Sequence, residues 1–163
     1  MRRVVVTGIG IVSSIGNNTE EVYNSLIHGK SGITKNEDMA SYGFRSQVAG
    51  NIKLDVSEHV DKRSLRFMGP GAAYAHISME QALNESGLTE HEVSNLRTGL
   101  VAGSGGPSTS AMLTAHQTVL KNSSPKRIGP FAVPKCMSST ISANLATAYK
   151  IKGINYSITS ACS

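Results

Sequence analysis

The chain has 163 residues, a formal net charge of +5, and 39% hydrophobic against 17% charged residues. This length suits one ordinary domain, and the balance is that of a packed globular chain, not a disordered one. No apolar run approaches the length needed to span a bilayer. With aromatics at 5% and no dense Lys/Arg block, the charge is also too modest for a nucleic-acid-binding tail.

The start, Met1-Arg2-Arg3-Val4-Val5-Val6-Thr7-Gly8, carries two basic residues, but Gly8, Gly10 and Ser13 interrupt it too early for a signal peptide. A cytoplasmic chain is therefore expected. Its two cysteines, Cys136 and Cys162, are then expected as free thiols. Neither they nor the scattered His28, His59, His76, His91 and His116 stand at metal-ligand spacing, so no metal is expected.

In chain order, Val4 to Thr7 is a β-branched run closed by glycine and reads as a buried strand. Asn17 or Asn18 caps a helix predicted to reach about Gly29. Glu20 and Glu21 lie in its first turn, where the helix dipole favours anions, and Val22, Tyr23 and Leu26 supply its inner face. Residues 30 to 58 form a loop-rich excursion punctuated by Gly32, Gly43 and Gly50, with a strand near Gln47 to Ala49. Residues 70 to 86 are strongly helical, with Ala73, Ile77, Ala82 and Leu83 on the apolar face and Gly87 as the stop. Thr89 and Glu92 have capping-box spacing and predict a short helix.

Thr98 to Ala102 is a second apolar strand, running into Gly103-Ser104-Gly105-Gly106-Pro107. Pro107 suits the first turn of a helix to about Val119. Asn122 to Pro134 holds Pro125, Pro130 and Pro134 and reads as an exposed loop. Ser138 to about Tyr149 is a helix rich in small residues, and Ile154, Tyr156 and Ile158 alternate as a strand does. Strands alternating with helices predict an α/β fold with a largely parallel sheet.

The final strand feeds Thr159-Ser160-Ala161-Cys162-Ser163. If a helix followed, the thiol would lie at its N-terminus, where free N–H groups and the dipole stabilise a thiolate able to attack a thioester. The competing reading is an inert buried cysteine, the common fate of free thiols. Cys136, beside Lys135 and Met137 at a helix edge, reads as structural.

A set of ordered segments then fits one known family. They are Val5-Val6-Thr7-Gly8-Ile9-Gly10-Ile11-Val12-Ser13, Ser31-Gly32-Ile33, Arg66-Phe67-Met68, Gly103-Ser104-Gly105-Gly106, Gly129-Pro130-Phe131, and Gly153-Ile154-Asn155-Tyr156-Ser157-Ile158-Thr159-Ser160-Ala161-Cys162. From residue 3 to the end the chain resembles the β-ketoacyl-acyl carrier protein synthases, the condensing enzymes of fatty-acid synthesis. The Ser160-Ala161-Cys162 ending is similar to the type I branch, where the type II and polyketide branches usually carry Thr-Ala-Cys.

The resemblance implies a thiolase-like fold: an N-terminal half with a mostly parallel five-stranded sheet and helices on both faces, in an enzyme that works as a homodimer. It implies that Cys162 accepts an acyl group from acyl carrier protein and that malonyl-acyl carrier protein is decarboxylated to extend it. No metal or organic cofactor is implied. Arg63, Arg66, Lys126 and Arg127, with Lys62 nearby, match the basic patch that meets the acidic carrier protein, while Ser123 stands where the family has another arginine. For these cations a solvated surface is the alternative reading. Gly106 and Met137 match positions lining the acyl tunnel, with plain core packing as the alternative. The family's two histidines and catalytic lysine have no counterpart in these residues. Residues 1–163 are therefore expected to be an N-terminal domain truncated after the nucleophile and inactive alone. A polyketide-type ketosynthase and a non-catalytic carrier-binding fragment are the other readings.

Overall fold

The computed structural model describes residues 2–162. Helix α1, Thr19–Ile27, starts where Asn18 accepts the Glu21 N–H, so of the two candidate asparagines Asn18 is the cap. Its inward residues are Val22 and Ser25; Tyr23 and Leu26, expected inside, are 63% and 67% exposed. Strand β1, Ile33–Lys35, pairs antiparallel with β2, Val48–Gly50, and a short helix, α2, Glu37–Ser41, fills the connection.

Helix α3, Lys62–Leu65, is a single turn held by the Asp61 carboxylate, which accepts the Arg63 and Ser64 N–H groups. Helix α4, Pro70–Ser86, begins with proline at its first position and stops at Gly87 in the left-handed region (φ 69°). Its residues Ala72, Ala73 and Ile77 join Val60 and Met68 in the core, with Leu54, Leu65 and Ile141 packed around them. Helix α5, Glu90–Val93, carries the reciprocal Thr89–Glu92 capping box.

Strand β3, Leu100–Gly103, leads to α6, Thr109–Asn122, whose cap is Ser108, so Pro107 lies just outside the helix instead of in its first turn. The expected loop from Asn122 to Pro134 contains a 3-10 turn, Pro125–Arg127, and the start of α7, Ala132–Cys136. Pro134 is tolerated there because the first turn of a helix has no intrahelical use for its N–H. Helix α8, Thr140–Ala148, packs on α4 and on β3, and β4, Asn155–Ile158, closes the order beside β3.

The alternation is α/β as expected, but the five-stranded parallel sheet is not what the described residues form. They hold one antiparallel ladder, β1–β2, and one parallel ladder, β3–β4. Helix α8 covers the face bearing Leu100 and Ala102, while Val101 and Tyr156 on the other face are 66% and 60% exposed, so among the described residues a helix covers one face of this ladder. Val4 to Thr7 makes no ladder and is exposed. The segment just after it is committed to α4 instead. The Glu85 carboxylate accepts the Ile9 N–H at 2.6 Å and Gln81 Oε1 accepts the Ile11 N–H at 3.0 Å. Gly8 and Gly10 lie so close to α4 that an added Cβ would stand 2.0 Å from the Ala82 carbonyl oxygen and 1.7 Å from that of Ser78.

Candidate functional site

The β3–β4 ladder sets the site's frame. Gly103 is in register with Ile158, and the Ser104 N–H extends the ladder by donating to the Ile158 carbonyl at 3.0 Å. Both strands therefore end on the same edge, and the loops carrying Gly106 and Cys162 leave side by side. In parallel α/β sheets the region beyond the carboxyl ends of the strands is where ligands gather. The Ser104 hydroxyl folds its loop back by donating to the Gly106 carbonyl at 2.8 Å.

Cys162 is exposed in a turn four residues beyond β4. Ala161 before it has φ +47°, a left-handed backbone that costs an L-residue roughly 1–2 kcal/mol. Thr159 and Ser160 lead from β4 into this turn without helix, and the helix considered in the sequence reading would begin after Cys162, outside the described residues. Cys136 is half-buried at the end of α7, and its carbonyl accepts the Ser108 N–H at 3.3 Å, tying α7 to the entry of α6.

That tie brings two predicted residues together. Gly106 and Met137 line one cleft of about 270 Å³, between the start of α4, the Ser104–Ser110 loop and the start of α8. Met137 is the residue at which α7 turns into α8, and its carbonyl accepts the Thr140 N–H at 3.2 Å.

The four predicted cations are all exposed. Arg63 and Arg66 sit on the α3 turn that Asp61 organises. Hydrogen bonds from Ser64, the hydroxyl first and then the N–H, hold the Asp61 carboxyl below its ordinary value, with Arg63 contributing less. Lys126 and Arg127 lie in the 3-10 turn started by Ser124 and packed on α6. Ile128, the next residue, lines a groove of about 360 Å³ together with Arg66, Thr114, Phe131 and Lys135. Of the predicted cations Arg66 lines this groove, and the Lys126–Arg127 turn meets it through Ile128. Arg63 opens on a second groove of similar size with Phe67 and Met137.

Sequence reasoning missed Lys135 as a lining residue of the Arg66 groove, because Pro134 disguised α7 as loop. It also missed the edge-to-face pair Phe67–Phe131, whose centroids are 5.0 Å apart. The Phe67 carbonyl accepts from the Thr140 hydroxyl at 3.3 Å, which ties the segment after α3 to the start of α8. No cluster of three or more His, Cys, Asp or Glu suited to a metal occurs among the described residues, and no helix there is long and apolar enough to cross a membrane.

Comparison with known proteins supplies the family. A family model described as "Beta-ketoacyl synthase, N-terminal domain" matches residues 1–163. The chain is 55% identical over 162 residues to 3-oxoacyl-[acyl-carrier-protein] synthase 1 of Haemophilus influenzae, covering 99% of this chain and 40% of that protein. It is 48% identical to the protein of the same name from Escherichia coli K12, at 99% and 40% coverage. Against 3-oxoacyl-[acyl-carrier-protein] synthase 2 of Vibrio cholerae the identity is 34%, over 99% of this chain and 39% of that one. The chain thus spans about 40% of the length of the relatives it matches. Its fold is similar to the ishigamide ketosynthase/chain length factor, with TM-score 0.85 at 23% identity over 97% of this chain and 40% of that one. A second fold match is a type II polyketide ketosynthase solved with its acyl-carrier protein, with TM-score 0.72 at 19% identity over 100% of this chain and 42% of that one.

Proposed function

The chain belongs to the β-ketoacyl synthase family, and on that premise we propose that it is the N-terminal thiolase-like domain of a 3-oxoacyl-[acyl-carrier-protein] synthase of the type I branch. The observation that carries this is the 55% identity to a synthase 1 across 99% of the chain. Identity falls to 34% against a synthase 2, which favours the type I branch.

Cys162 is the nucleophile in this reading. Its thiolate attacks the acyl thioester on the carrier, an S–C bond forms, and the carrier's thiol leaves with a proton. Malonyl-acyl carrier protein then loses carbon dioxide, and the resulting carbanion attacks the acyl-cysteine. A C–C bond forms, the Cys162 sulfur is released, and the product is a 3-oxoacyl chain two carbons longer. The thioester and the lost carbon dioxide drive the sequence without a cofactor. The two histidines and the lysine that assist decarboxylation in the family lie, on the resemblance, outside residues 1–163. Condensation is therefore assigned to the full-length cytoplasmic homodimer, with a five-stranded sheet in each half, and not to these residues alone.

The acidic carrier protein docks on Arg63, Arg66, Lys126 and Arg127. The groove lined by Arg66 and Lys135, with Ile128 next to Arg127 in its wall, supports this, because a cationic rim draws an acidic partner and speeds its encounter. Gly106 and Met137 bound the acyl tunnel, a reading supported by their shared cleft at the carboxyl end of β3.

Intact-mass measurement of the full-length enzyme after incubation with acyl-acyl carrier protein tests the assignment. An acyl-sized gain that disappears in Cys162→Ala is expected. A gain that persists in Cys162→Ala, or none in the full-length wild type, overturns it.

A further inference from the structure

A cleft of about 730 Å³ opens between the C-terminal half of α4, α5 and the turn joining α8 to β4. It shares no lining residue with the Gly106–Met137 cleft, and its volume is in the range of small-molecule sites. The helices contribute the carboxylates Glu80 and Glu90, the turn contributes the ammonium groups of Lys150 and Lys152, and Leu83 and Val93 add apolar lining. None of the four charged groups is in an ion pair among the described residues, where the salt bridge formed is Lys35–Glu37.

Lys150 is also held in an unusual backbone. Helix α8 ends in a left-handed cap in which the Lys150 N–H donates to the Thr147 carbonyl at 3.4 Å and the Ile151 N–H to that of Ala146 at 3.0 Å. The same pair of bonds closes α1 at Gly29 and α2 at Gly43, with φ of 61° and 69°. Glycine takes this position in both, because an L side chain adopts it only against steric resistance. At α8 the position is filled by lysine, with φ 51°. The Ser94 hydroxyl fixes that turn against α5 by donating to the Lys150 carbonyl at 2.9 Å. Tyr149, another lining residue, is stacked on His76 at 5.4 Å. Burial, and less strongly the Glu80 charge, push its phenol up to about 12, so it stays neutral in the cleft. Backbone strain of this kind persists where the surrounding structure fixes it, and here it sets a cation on the rim of a cleft.

We infer that this cleft binds a short linear zwitterion. Its carboxylate meets Lys150 and Lys152, its ammonium meets Glu80 and Glu90, and its apolar middle rests on Leu83 and Val93. A cleft with cations alone would select an anion; opposite charges left unpaired select a molecule that carries both signs.

Trialanine is the probe, applied to the full-length protein and read by saturation-transfer NMR. Its methyl signals should respond, and N-acetyl-trialanine and trialanine amide, each lacking one charge, should bind about three- to five-fold more weakly. Lys150→Gly is the decisive variant. Glycine suits the left-handed cap, so the melting temperature should hold or rise while the trialanine response falls several-fold. Lys152→Gln, at an exposed position with ordinary backbone, should show the same loss and stands in if Lys150→Gly does not fold. An undiminished response in these variants, equal binding of the blocked peptides, or no response to trialanine at about 1 mM overturns the assignment.

Discussion

The Ser104 N–H donates to the Ile158 carbonyl at 3.0 Å, one step beyond the last registered pair of the β3–β4 ladder, Gly103 with Ile158. That bond fixes the Gly106 loop to the strand that delivers Cys162. It makes the placement of the Gly106 loop relative to Cys162, the proposed tunnel wall and nucleophile, depend on one ladder instead of two independent loops. A side chain added at Gly106 should therefore be felt by the acyl group on Cys162. A Cβ built there has no heavy atom within 4 Å and the backbone is not left-handed, so Gly106→Met should fold normally, with a stability change within about 0.5 kcal/mol. The full-length variant should accept short acyl donors at close to the wild-type rate and lose long ones. Acylation rates across a series of chain lengths check this, and a uniform drop across the series would remove Gly106 from the tunnel.

Charge reversal at the two basic turns should act on encounter and leave the fold intact. Arg63 and Lys126 are exposed and outside any ion pair among the described residues. The double variant Arg63→Glu with Lys126→Glu should raise KM for the acidic carrier about ten-fold at low ionic strength, with kcat little changed. The gap should narrow as salt rises, since a Debye length of about 10 Å at 0.1 M screens exposed charges. A KM ratio independent of salt would mean that these residues do not steer the carrier.

Asp61 gives a pH dependence of known sign. Its folded carboxyl is held below the ordinary 3.8 by the Ser64 hydroxyl and N–H. The unfolded chain then binds the proton more tightly, so the capping contribution is fully present above the ordinary value and is lost as pH falls through the lowered one. Asp61→Ala should accordingly lower the urea midpoint at about pH 6, and the difference from wild type should shrink towards about pH 3. Because the same carboxylate organises the turn bearing Arg63 and Arg66, the variant should also raise KM for the carrier near neutral pH.

Local chemistry made part of this fold legible in the sequence. Pro70 at the first position, Gly87 past the last and an apolar period between them define α4 without reference to anything else, and Thr89 with Glu92 does the same for α5. What depended on partners was not legible. Tyr23 and Leu26 lie on a helical stripe, yet α1 turns Val22 and Ser25 inward, because periodicity defines a face without saying what will cover it. Strand β1 spans three residues, too few for alternation to register. Cys162 illustrates the same division. The strand before it was readable from Ile154, Tyr156 and Ile158, and a thiol just past a strand end suggested a nucleophile, but its acyl-accepting role came from the resemblance, because strand-end placement alone fits an inert cysteine equally well.

Val4 to Thr7 is the sharpest case. Its composition is that of a buried strand, whereas the structure leaves it exposed and commits the next residues to α4. The glycines explain the commitment. At Gly10 an added Cβ would stand 1.7 Å from the Ser78 carbonyl oxygen, and at Gly8 2.0 Å from that of Ala82, both backbone atoms within a long helix that cannot step aside. Gly10→Ala should therefore lift the segment from α4 and break the Gln81–Ile11 bond, at a cost of about 1–3 kcal/mol, the usual penalty for overpacking. Gly71→Ala, at a helical position with no atom within 4 Å of the added Cβ, is the matched control and should be neutral or slightly stabilising. Chemical denaturation of the pair in the full-length protein measures the difference. Equal midpoints would show that α4 does not hold this segment through Gly10.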